Sequence, residues 1–186
     1  DGQLAVAERD GHVVGFGKLS RLEDDEWWLE GFRVDPAHQG QGIAKKMQTH
    51  LIDKACQMGN GTLRYGTSSL NEPIHRLSAR HGFQRISVYC PYQAASLPAA
   101  DGPIPSALSK TDVDQAWALI EDSPRYRAAH GLHEDTWQWK HLTRAHLVQY
   151  VEEGQAWGIH ANGELIALAL IHWMEEKEGM QHAHFG

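Results

Sequence analysis

The feature that most constrains this chain is a strand-like run that stops at a proline and passes through a glycine-rich turn into a helical pattern. This stretch runs from Val34 to Met47 and has the sequence VDPAHQGQGIAKKM. The N–H groups of residues 40–43 lie at the helix start, where no intrahelical acceptor is available. These N–H groups and the helix dipole both favour a bound anion. The turn therefore predicts a phosphate-binding site.

Length, composition and charge limit the class of protein. The 186 residues are long for one domain and short for two complete ones. The 41% apolar and 22% charged content is ordinary for a globular protein, and no apolar run approaches the roughly 18 residues that cross a membrane. A net charge of −7 argues against a nucleic-acid partner and is compatible with a cationic substrate such as an amine. The two cysteines, Cys56 and Cys90, predict buried thiols in a reducing cytoplasm.

The residues before the glycine turn predict three strands. Asp10-Gly11 lies between apolar runs at 4–9 and 12–19, which is typical of a hairpin with a two-residue turn. The acidic residues 23–26 predict a solvated loop, and residues 27–34 predict the third strand. Simple alternation would place on one face of this strand Trp28, Glu30, Phe32 and Val34.

The residues after the turn predict a helix, a strand and a second helix. The first helix has an apolar stripe of Ile43, Met47, Leu51, Ala55 and Met58, and glycines at 59 and 61 end it. Residues 62–67 predict a strand parallel to the third, because a helix connects the two. Asn71 is placed to cap a helix at 72–80, which His81-Gly82 ends. Residues 83–92 are rich in β-formers and predict a final strand or pair of strands.

A proline-rich stretch predicts the domain boundary. Residues 94–105 contain three prolines and no periodicity, so we interpret them as a linker between a first domain, 1–93, and a second part, 106–186. In the second part, Thr111 or Asp112 predicts the cap of a helix that runs to about residue 121. The Trp- and His-rich residues 134–144 predict a further helix.

A second hairpin resembles the first. Asn162-Gly163 joins apolar runs at 155–161 and 164–171, and at an offset of 152 residues it falls on Asp10-Gly11. The chain therefore predicts an internal repeat. The first copy would lack the elements before its hairpin, and the second would stop where its own glycine turn should come. We expect the chain to be a segment of a tandem two-domain protein, or one whose ends are missing.

Three phosphate-binding turns can be compared with residues 39–45. A nucleotide P-loop needs lysine and a hydroxyl residue after the last glycine, but Gly42 is followed by Ile43-Ala44. A dinucleotide fingerprint needs a third glycine where Lys45 stands. The motif Gln39-x-x-Gly42-x-Ala44 fits instead, and it resembles the Arg/Gln-x-x-Gly-x-Gly/Ala pyrophosphate motif of the GNAT acyltransferase superfamily. The resemblance extends over residues 4–92 and includes Asn71 and Gly82-Phe83 at the expected separations.

This resemblance implies a mixed α/β fold, the GNAT-like acyl-CoA N-acyltransferase fold, with part of a second copy. It also implies acetyl-CoA as co-substrate. In this family the strand before the motif splays from its parallel neighbour, and the pantetheine arm pairs with the exposed backbone. The residues implied for the arm are Phe32, Arg33 and Val34, and those for the pyrophosphate are Gln39, Gly40, Gln41, Gly42, Ile43 and Ala44. Asn71 matches a position that contacts the pantetheine, and a simple N-cap explains it equally well.

The implied reaction is direct attack of a primary amine on the thioester, which needs a base, an oxyanion donor and an acid. Glu30 is the candidate base, with a structural carboxylate as the alternative, and the Val34 N–H is the implied oxyanion donor. The family's acid is a tyrosine four residues before the Gly of Gly-Phe, but Ser78 stands there. A serine hydroxyl is a much poorer proton donor than a phenol with a pKa of about 10. Candidate substitutes are Tyr89, Tyr92 and His75.

Other residues carry weaker expectations. The 13 histidines include pairs such as His130/His133 and His182/His184, but none has cysteines or carboxylates at recognised zinc spacing, so we predict no metal site. Residues 137–139, Trp-Gln-Trp, predict helix packing or the wall of a substrate cleft. Lys45-Lys46 could meet the 3′-phosphate of coenzyme A. The expected partner is a small-molecule or peptide amine, and the second part is expected to help form the acceptor cleft or a homodimer interface.

Two further functions stay open. Ser78 in place of tyrosine favours a coenzyme A-binding regulatory module without turnover. The missing motif in the second copy favours a structural or interaction protein built on a decayed repeat.

Overall fold

Two structural units make up the chain, and each has its own sheet and apolar core. The computed structural model describes residues 2–90, 92, 102–177 and 180–185, with side chains as far as residue 171. The first unit comprises residues 1–85 together with 137–139, and the second comprises residues 86–136 and 140–186.

The first unit is a mixed four-stranded sheet with two helices. Its elements are β1 (Gly2–Arg9), β2 (His12–Glu23), β3 (Glu26–Val34), a 3-10 turn (Pro36–His38), α1 (Ile43–Met58), β4 (Thr62–Tyr65) and α2 (Glu72–Ala79). The strands lie in the order β1-β2-β3-β4. β1, β2 and β3 are antiparallel, and β4 is parallel to β3. The predicted parallel pairing across the first helix is therefore confirmed.

The first hairpin forms as predicted. The acidic residues 23–26 form the predicted loop only in part. Asp10 and Gly11 both have positive φ, at 52° and 77°, as a two-residue turn between β1 and β2 requires. The turn between β2 and β3 contains only Asp24 and Asp25. Glu26 is 7% exposed and forms an ion pair with Arg64 at 3.0 Å. The prediction of a solvated loop over residues 23–26 is therefore wrong for Glu26, which is part of β3.

A β-bulge at Gly31 changes which residues of β3 share a face. Lys18 pairs with Glu30 and Phe16 with Arg33, so Gly31 and Phe32 together oppose Gly17. Gly31 has a φ of 70°, which only glycine adopts at little cost.

The bulge overturns the alternation predicted for Trp28, Glu30, Phe32 and Val34. Phe32 packs in the cluster of Leu19, Leu29 and Leu51, on the α1 side of the sheet. Val34 pairs with Gly15, where a Cβ would touch Ile43 and Met47 of α1, so Val34 lies on that side as well. Glu30 lies on the opposite face, and the predicted shared face of Glu30 and Val34 is wrong.

Helix α1 covers the core of the first unit as its apolar stripe predicts. Leu51 is fully buried, and Leu51 and Ala55 pack against Leu19, Trp27 and Leu29 of the sheet. Burying one such leucine contributes about 1.5–3 kcal/mol. Met58 is 47% exposed, so the buried stripe ends at Ala55.

The segment after α2 differs from its prediction. Gly82 has a φ of 80° and the Phe83 N–H bonds the Ser78 carbonyl at 3.2 Å, which ends the helix as expected. Residues 83–90 and 92, however, form no strand. Ile86 and Val88 are exposed. β-forming residues make a strand only where a partner strand and a packed face are present, so the composition of this segment was not sufficient.

The second unit is an antiparallel sheet with three helices and a separate two-stranded sheet. Its elements are β5 (Ser106–Ala107), a 3-10 turn (Lys110–Asp112), α3 (Val113–Asp122), α4 (Pro124–Ala128), β6 (Leu132–Asp135), β7 (Gln138–His141, whose first two residues belong to the first unit), α5 (Arg144–Glu152), β8 (Ala156–Ala161), β9 (Glu164–Lys177) and β10 (Met180–Phe185). The main sheet has the order β10-β9-β8-β5, and β6 pairs with β7. Its core contains Val113, Ala116, Leu147, Tyr150 and Leu165.

Two predictions for the second part need correction. The predicted helix over residues 134–144 is instead the β6–β7 hairpin, whose turn residues Thr136 and Trp137 both have positive φ. Asp112, one of the two predicted caps, is the N-cap residue of α3, but its side chain makes no capping bond there; its carboxylate instead accepts from the N–H and hydroxyl of Ser109, which begins the preceding 3-10 turn. The predicted Asn162-Gly163 hairpin is confirmed as β8–β9. Of the predicted linker, residues 94–101 lie outside the described residues, and 102–105 have no regular structure.

Cys56 and Cys90 are free and exposed, so the prediction that both thiols are buried is wrong. Among the described residues, no helix has the length and apolarity to cross a membrane, and no group of three metal-ligating side chains comes together.

Candidate functional site

The predicted phosphate turn has an open helix N-terminus. Gly40 and Gly42 have φ values of 75° and 79°, and a Cβ at either would meet no atom within 4 Å. Glycine is therefore required at both positions by backbone conformation and not by crowding. The first hydrogen bond of α1 runs from the Lys46 N–H to the Gly42 carbonyl at 3.0 Å, so the N–H groups of residues 43–45 belong to the uncapped first turn. Gly42, the N-cap residue, has no side chain with which to fill this end.

The strand that leads into the turn has one free edge. β3 and β4 pair only from Glu26–Thr62 to Leu29–Tyr65, so the last five residues of β3 lie beyond the pairing. On its other side, β3 stays paired with β2 as far as Val34, and the Asp35 N–H bonds the Val14 carbonyl at 2.9 Å.

Alternation along an antiparallel ladder determines which backbone groups face that edge. Because Asp35 bonds β2, Arg33 also points its N–H and C=O toward β2. The C=O group of Phe32 and both backbone groups of Val34 then point to the free edge. Side-chain contacts agree with this assignment, since Arg33 Nη1 donates to the Phe32 carbonyl at 2.8 Å and Gln39 Nε2 donates to the Val34 carbonyl at 3.2 Å. Of the three predicted pantetheine residues, Phe32 and Val34 therefore direct backbone hydrogen-bonding groups to the free edge, whereas Arg33 directs its backbone groups to β2.

Basic residues lie beside the glycine turn. An open groove of about 550 Å³ follows α1 and is lined by Gly42, Lys45, Lys46, Thr49, His50 and Asp53. Arg9, at the tip of the first hairpin, donates a hydrogen bond to the Gln41 side chain. The sequence predicted Lys45 and Lys46 here, but it contains no signal that brings Arg9 to this turn, because the contact spans 32 residues.

Glu30 lies on the sheet face opposite α1 and is held by three donors. Ser20 Oγ and Lys18 Nζ both donate to Oε1, the lysine at 3.0 Å, and Gln138 Nε2 donates to Oε2 at 3.2 Å. Partial burial raises the pKa of the Glu30 carboxyl, but the hydrogen bonds from Ser20, Lys18 and Gln138 outweigh it, and the pKa lies below its usual range. Glu30 is therefore ionised at neutral pH.

Residues 137–139 form part of the first unit, which the sequence did not indicate. The Trp139 ring lies 5.7 Å from that of Trp28, tilted by 32°, and a Cβ added at Gly66 would lie 3.5 Å from it. Gln138 bonds Glu30. The sequence predicts helix packing or a cleft wall for these residues, and no local pattern links Gln138 to a carboxylate 108 positions away.

Ser78, the predicted acid, is 2% exposed and accepts a hydrogen bond from Gln48 Nε2 of α1 at 3.1 Å. It therefore lies on the α1 side of the sheet, whereas Glu30 lies on the other, and the structure does not bring the two together. Of the substitutes, His75 Nε2 lies 3.0 Å from the Ser68 carbonyl. Tyr92 is 93% exposed and Tyr89 is 37% exposed.

Asn71 occupies the N-cap position of α2, but its side chain makes no capping bond. Its amide donates to Thr67 Oγ1 at 3.1 Å. The expectation of a simple side-chain cap is therefore wrong, and the pantetheine contact stays a prediction.

The open strand edge, the glycine turn and the uncapped helix together define a site for an extended ligand that ends in a phosphate group. Comparison with protein families agrees with a site of this kind: residues 1–83 match the model of the Acetyltransferase (GNAT) family. Residues 1–83 are therefore similar to the GNAT acetyltransferases, and the first unit has a mixed α/β fold.

Individual relatives match a similar share of the chain. It is 33% identical over 88 residues to the L-methionine sulfoximine/L-methionine sulfone acetyltransferase of Salmonella typhimurium, covering 43% of this chain and 49% of that protein. It is 30% identical over 88 residues to the L-amino acid N-acyltransferase MnaT of Escherichia coli, with the same shares covered. The chain thus spans about half the length of these curated relatives.

Solved structures also match slightly less than half of the chain. The crystal structure of the ribosomal-protein-S18-alanine N-acetyltransferase from Escherichia coli is 26% identical, with a TM-score of 0.42, over 45% of this chain and 53% of that one. A GNAT family acetyltransferase from Elizabethkingia anophelis with acetyl-CoA bound is 23% identical, with a TM-score of 0.42, over 45% and 54%.

Proposed function

We propose that this protein is an N-acetyltransferase that moves an acetyl group from acetyl-CoA to a primary amine by direct attack in a ternary complex. The observation that carries the proposal is the free edge of β3 at Phe32 and Val34, which leads directly into the uncapped N-terminus of α1. The family match over residues 1–83 supports acetyl-CoA as the co-substrate.

In this proposal the pantetheine arm pairs with the outward backbone groups of Phe32 and Val34 as an added strand would. The pyrophosphate then lies on the N–H groups of residues 39–44, where the helix dipole favours its charge. Lys45 and Lys46, in the groove along α1, are placed for the 3′-phosphate, and Arg9 adds a further cation beside Gln41. Asn71 is proposed to contact the pantetheine.

The acceptor amine attacks the thioester carbonyl carbon, so a C–N bond forms and the C–S bond breaks. The Val34 N–H is proposed to stabilise the oxyanion. A proton leaves the nitrogen, and Glu30, which is ionised at neutral pH, is its proposed acceptor. The departing thiolate gains a proton from solvent or from a side chain.

The identity of the acid decides between the enzyme and a regulatory coenzyme A-binding module. Ser78 is buried and bonded to Gln48, so it is poorly placed to protonate a thiolate. This burial favours the regulatory alternative as the second candidate function. A serine there does not prevent transfer, however, because a coenzyme A thiolate can leave without a strong acid.

A screen of amines with purified protein tests this proposal. Free thiol released from acetyl-CoA would be measured with polyamines, amino acids, peptides and aminoglycosides, beside calorimetric titration with coenzyme A. We expect binding together with amine-dependent thiol release. Binding without release from any amine would support the regulatory module, and absence of binding would contradict both.

We also propose that the second unit is part of a second GNAT-like copy. The two hairpins support this beyond their turns. In the first, pairing shifts between Ala7–Gly15 and Glu8–Val13. In the second, it shifts between Ile159–Ala167 and His160–Leu165.

Each of these four positions in the second hairpin lies 152 residues after its counterpart in the first. A bulge is a specific local feature, so the shared shift is stronger support for duplication than a shared Asx-Gly turn. We place the tandem protein in the cytoplasm, where the exposed free thiols of Cys56 and Cys90 would stay reduced.

A further inference from the structure

The segment Trp137–Trp139 belongs to the first unit but is separated in sequence from residues 1–85, which form the rest of it. This segment contacts the sheet at Glu30. Trp139 anchors the segment through its ring contact with Trp28. Gln138 is next to this anchor and directs its amide to Glu30 Oε2. The contact therefore joins a fixed backbone position to the carboxylate proposed as the base.

The hydrogen bonds on Glu30 are divided between its two oxygens. Lys18 and Ser20, both on β2, occupy Oε1, and Gln138 binds Oε2. A carboxylate has about four lone-pair positions, two on each oxygen. Oε1 is therefore filled, and Oε2 keeps one position beside the Gln138 amide.

The two oxygens are also held by different elements. Bonds from β2 alone would hold Oε1 and leave the carboxylate free to rotate about it. The Gln138 bond removes this rotation and directs the remaining lone pair of Oε2. A base must lie within hydrogen-bond reach of the proton that it takes, and small changes in orientation are costly.

We propose that Gln138 is a positioning residue that fixes the Glu30 carboxylate so that Oε2 receives the acceptor's N–H. This inference rests on the proposed function and goes beyond it, because it assigns a role to a residue outside the family-matched segment 1–83. It also predicts that the acceptor approaches from the face of the sheet that carries Lys18, Ser20 and Glu30.

The hydrogen-bond donors and the charge around Glu30 determine how its pKa should change in the variants that test this proposal. Lys18 is the charged group in contact with the carboxylate, while Ser20 and Gln138 are neutral donors, and all three lower the pKa of Glu30. Loss of the Gln138 donor should therefore raise this pKa, and a carboxylate in its place should raise it further.

The test compares Gln138→Ala and Gln138→Glu with the wild-type chain. The Glu30 carboxyl would be titrated by ¹³C NMR, with its signal assigned from Glu30→Gln, and the pH dependence of kcat/KM would be measured with the best amine of the screen. We expect both variants to move the Glu30 titration and the acidic limb of the profile to higher pH, Gln138→Glu by more. At neutral pH, Gln138→Ala should lower kcat/KM about tenfold, mainly through kcat, as expected for a lost bond to a charged group.

Gln149→Ala is the matched control. Gln149 also donates its amide to a carboxylate, that of Glu153 at 2.8 Å, but in the second unit. It should leave the Glu30 titration and the pH profile unchanged. An active Gln138→Ala enzyme with the wild-type Glu30 titration and acidic limb would overturn the inference alone. A wild-type protein without turnover would contradict the proposed function, and the catalytic role of Gln138 with it, whatever the titration shows.

Discussion

The helix N-termini of the two units are filled in different ways. In the second unit, side chains occupy two of them: Ser123 Oγ accepts the Tyr126 N–H at 3.4 Å in α4, and Thr143 Oγ1 accepts the His146 N–H at 3.2 Å in α5. In the first unit, α1 begins at Ile43 after the N-cap residue Gly42, and no side chain caps it. A capped end satisfies its own N–H groups, whereas an uncapped glycine end leaves them for a ligand.

The two hairpins, in contrast to the helix N-termini, are alike in the two units. They share a positive-φ turn, a two-residue connection and the same register shift. The two units therefore share this type of hairpin, and the glycine turn that follows β3 distinguishes the first unit. Matched substitutions in the two units test this distinction.

The largest effect is expected from the two cores. Leu51 and Leu147 are both fully buried, so Leu51→Ala and Leu147→Ala should each destabilise their unit by about 2–5 kcal/mol. Only Leu51→Ala should also weaken coenzyme A binding, because α1 packs on the sheet through Leu51. Urea unfolding and calorimetry on both variants would measure this. Equal loss of binding in both would show that the units do not behave separately.

A smaller effect is expected from matched glycines. Gly42 and Gly163 have φ values of 79° and 83°, and neither has an atom within 4 Å of an added Cβ. Alanine at either position should cost about 1–2 kcal/mol of stability. Gly42→Ala should in addition lower coenzyme A affinity more than about tenfold, equivalent to about 1.4 kcal/mol, by displacing the turn N–H groups. If Gly163→Ala weakens binding as much, the effect is one of stability alone.

The smallest effect concerns a cap of the second unit. Hydrogen bonds from Ser109 hold the pKa of Asp112 below its usual value of 3.8. A lowered folded-state pKa stabilises the fold above that value, and this stability is lost as pH falls through the folded pKa. Ser109→Ala should cost about 1 kcal/mol at pH 6 and less near pH 3, with coenzyme A binding unchanged. A cost that does not depend on pH would contradict the role of Asp112.

Where local chemistry determines structure, the sequence was sufficient. Asp10-Gly11 and Asn162-Gly163 predicted both hairpins because these residues adopt positive φ at low cost. Thr136-Trp137 forms the same kind of turn from residues that rarely adopt it, so the β6–β7 hairpin had no signal. Helix α5 was missed as well, since its capping box uses His146 where glutamate or glutamine is usual.

The candidate site shows the same division. The glycine turn was predictable from Gln39 to Ala44, because phosphate binding there uses consecutive backbone groups. The orientation of Glu30 was not, because a single bulge at Gly31 reverses the alternation beyond it. The contact with Gln138 depends on tertiary structure alone.

Titration of the ¹⁵N-labelled chain with coenzyme A, followed by amide NMR, tests the central claim most directly. We predict one equivalent of ligand bound, with the largest shifts at the N–H groups of Phe32, Val34 and residues 39–44, and little change at Asn162-Gly163 or at the caps Ser109 and Thr143. Saturation without shifts at residues 39–44, or the largest shifts in the second unit, would contradict the assignment of the coenzyme A site to the glycine turn.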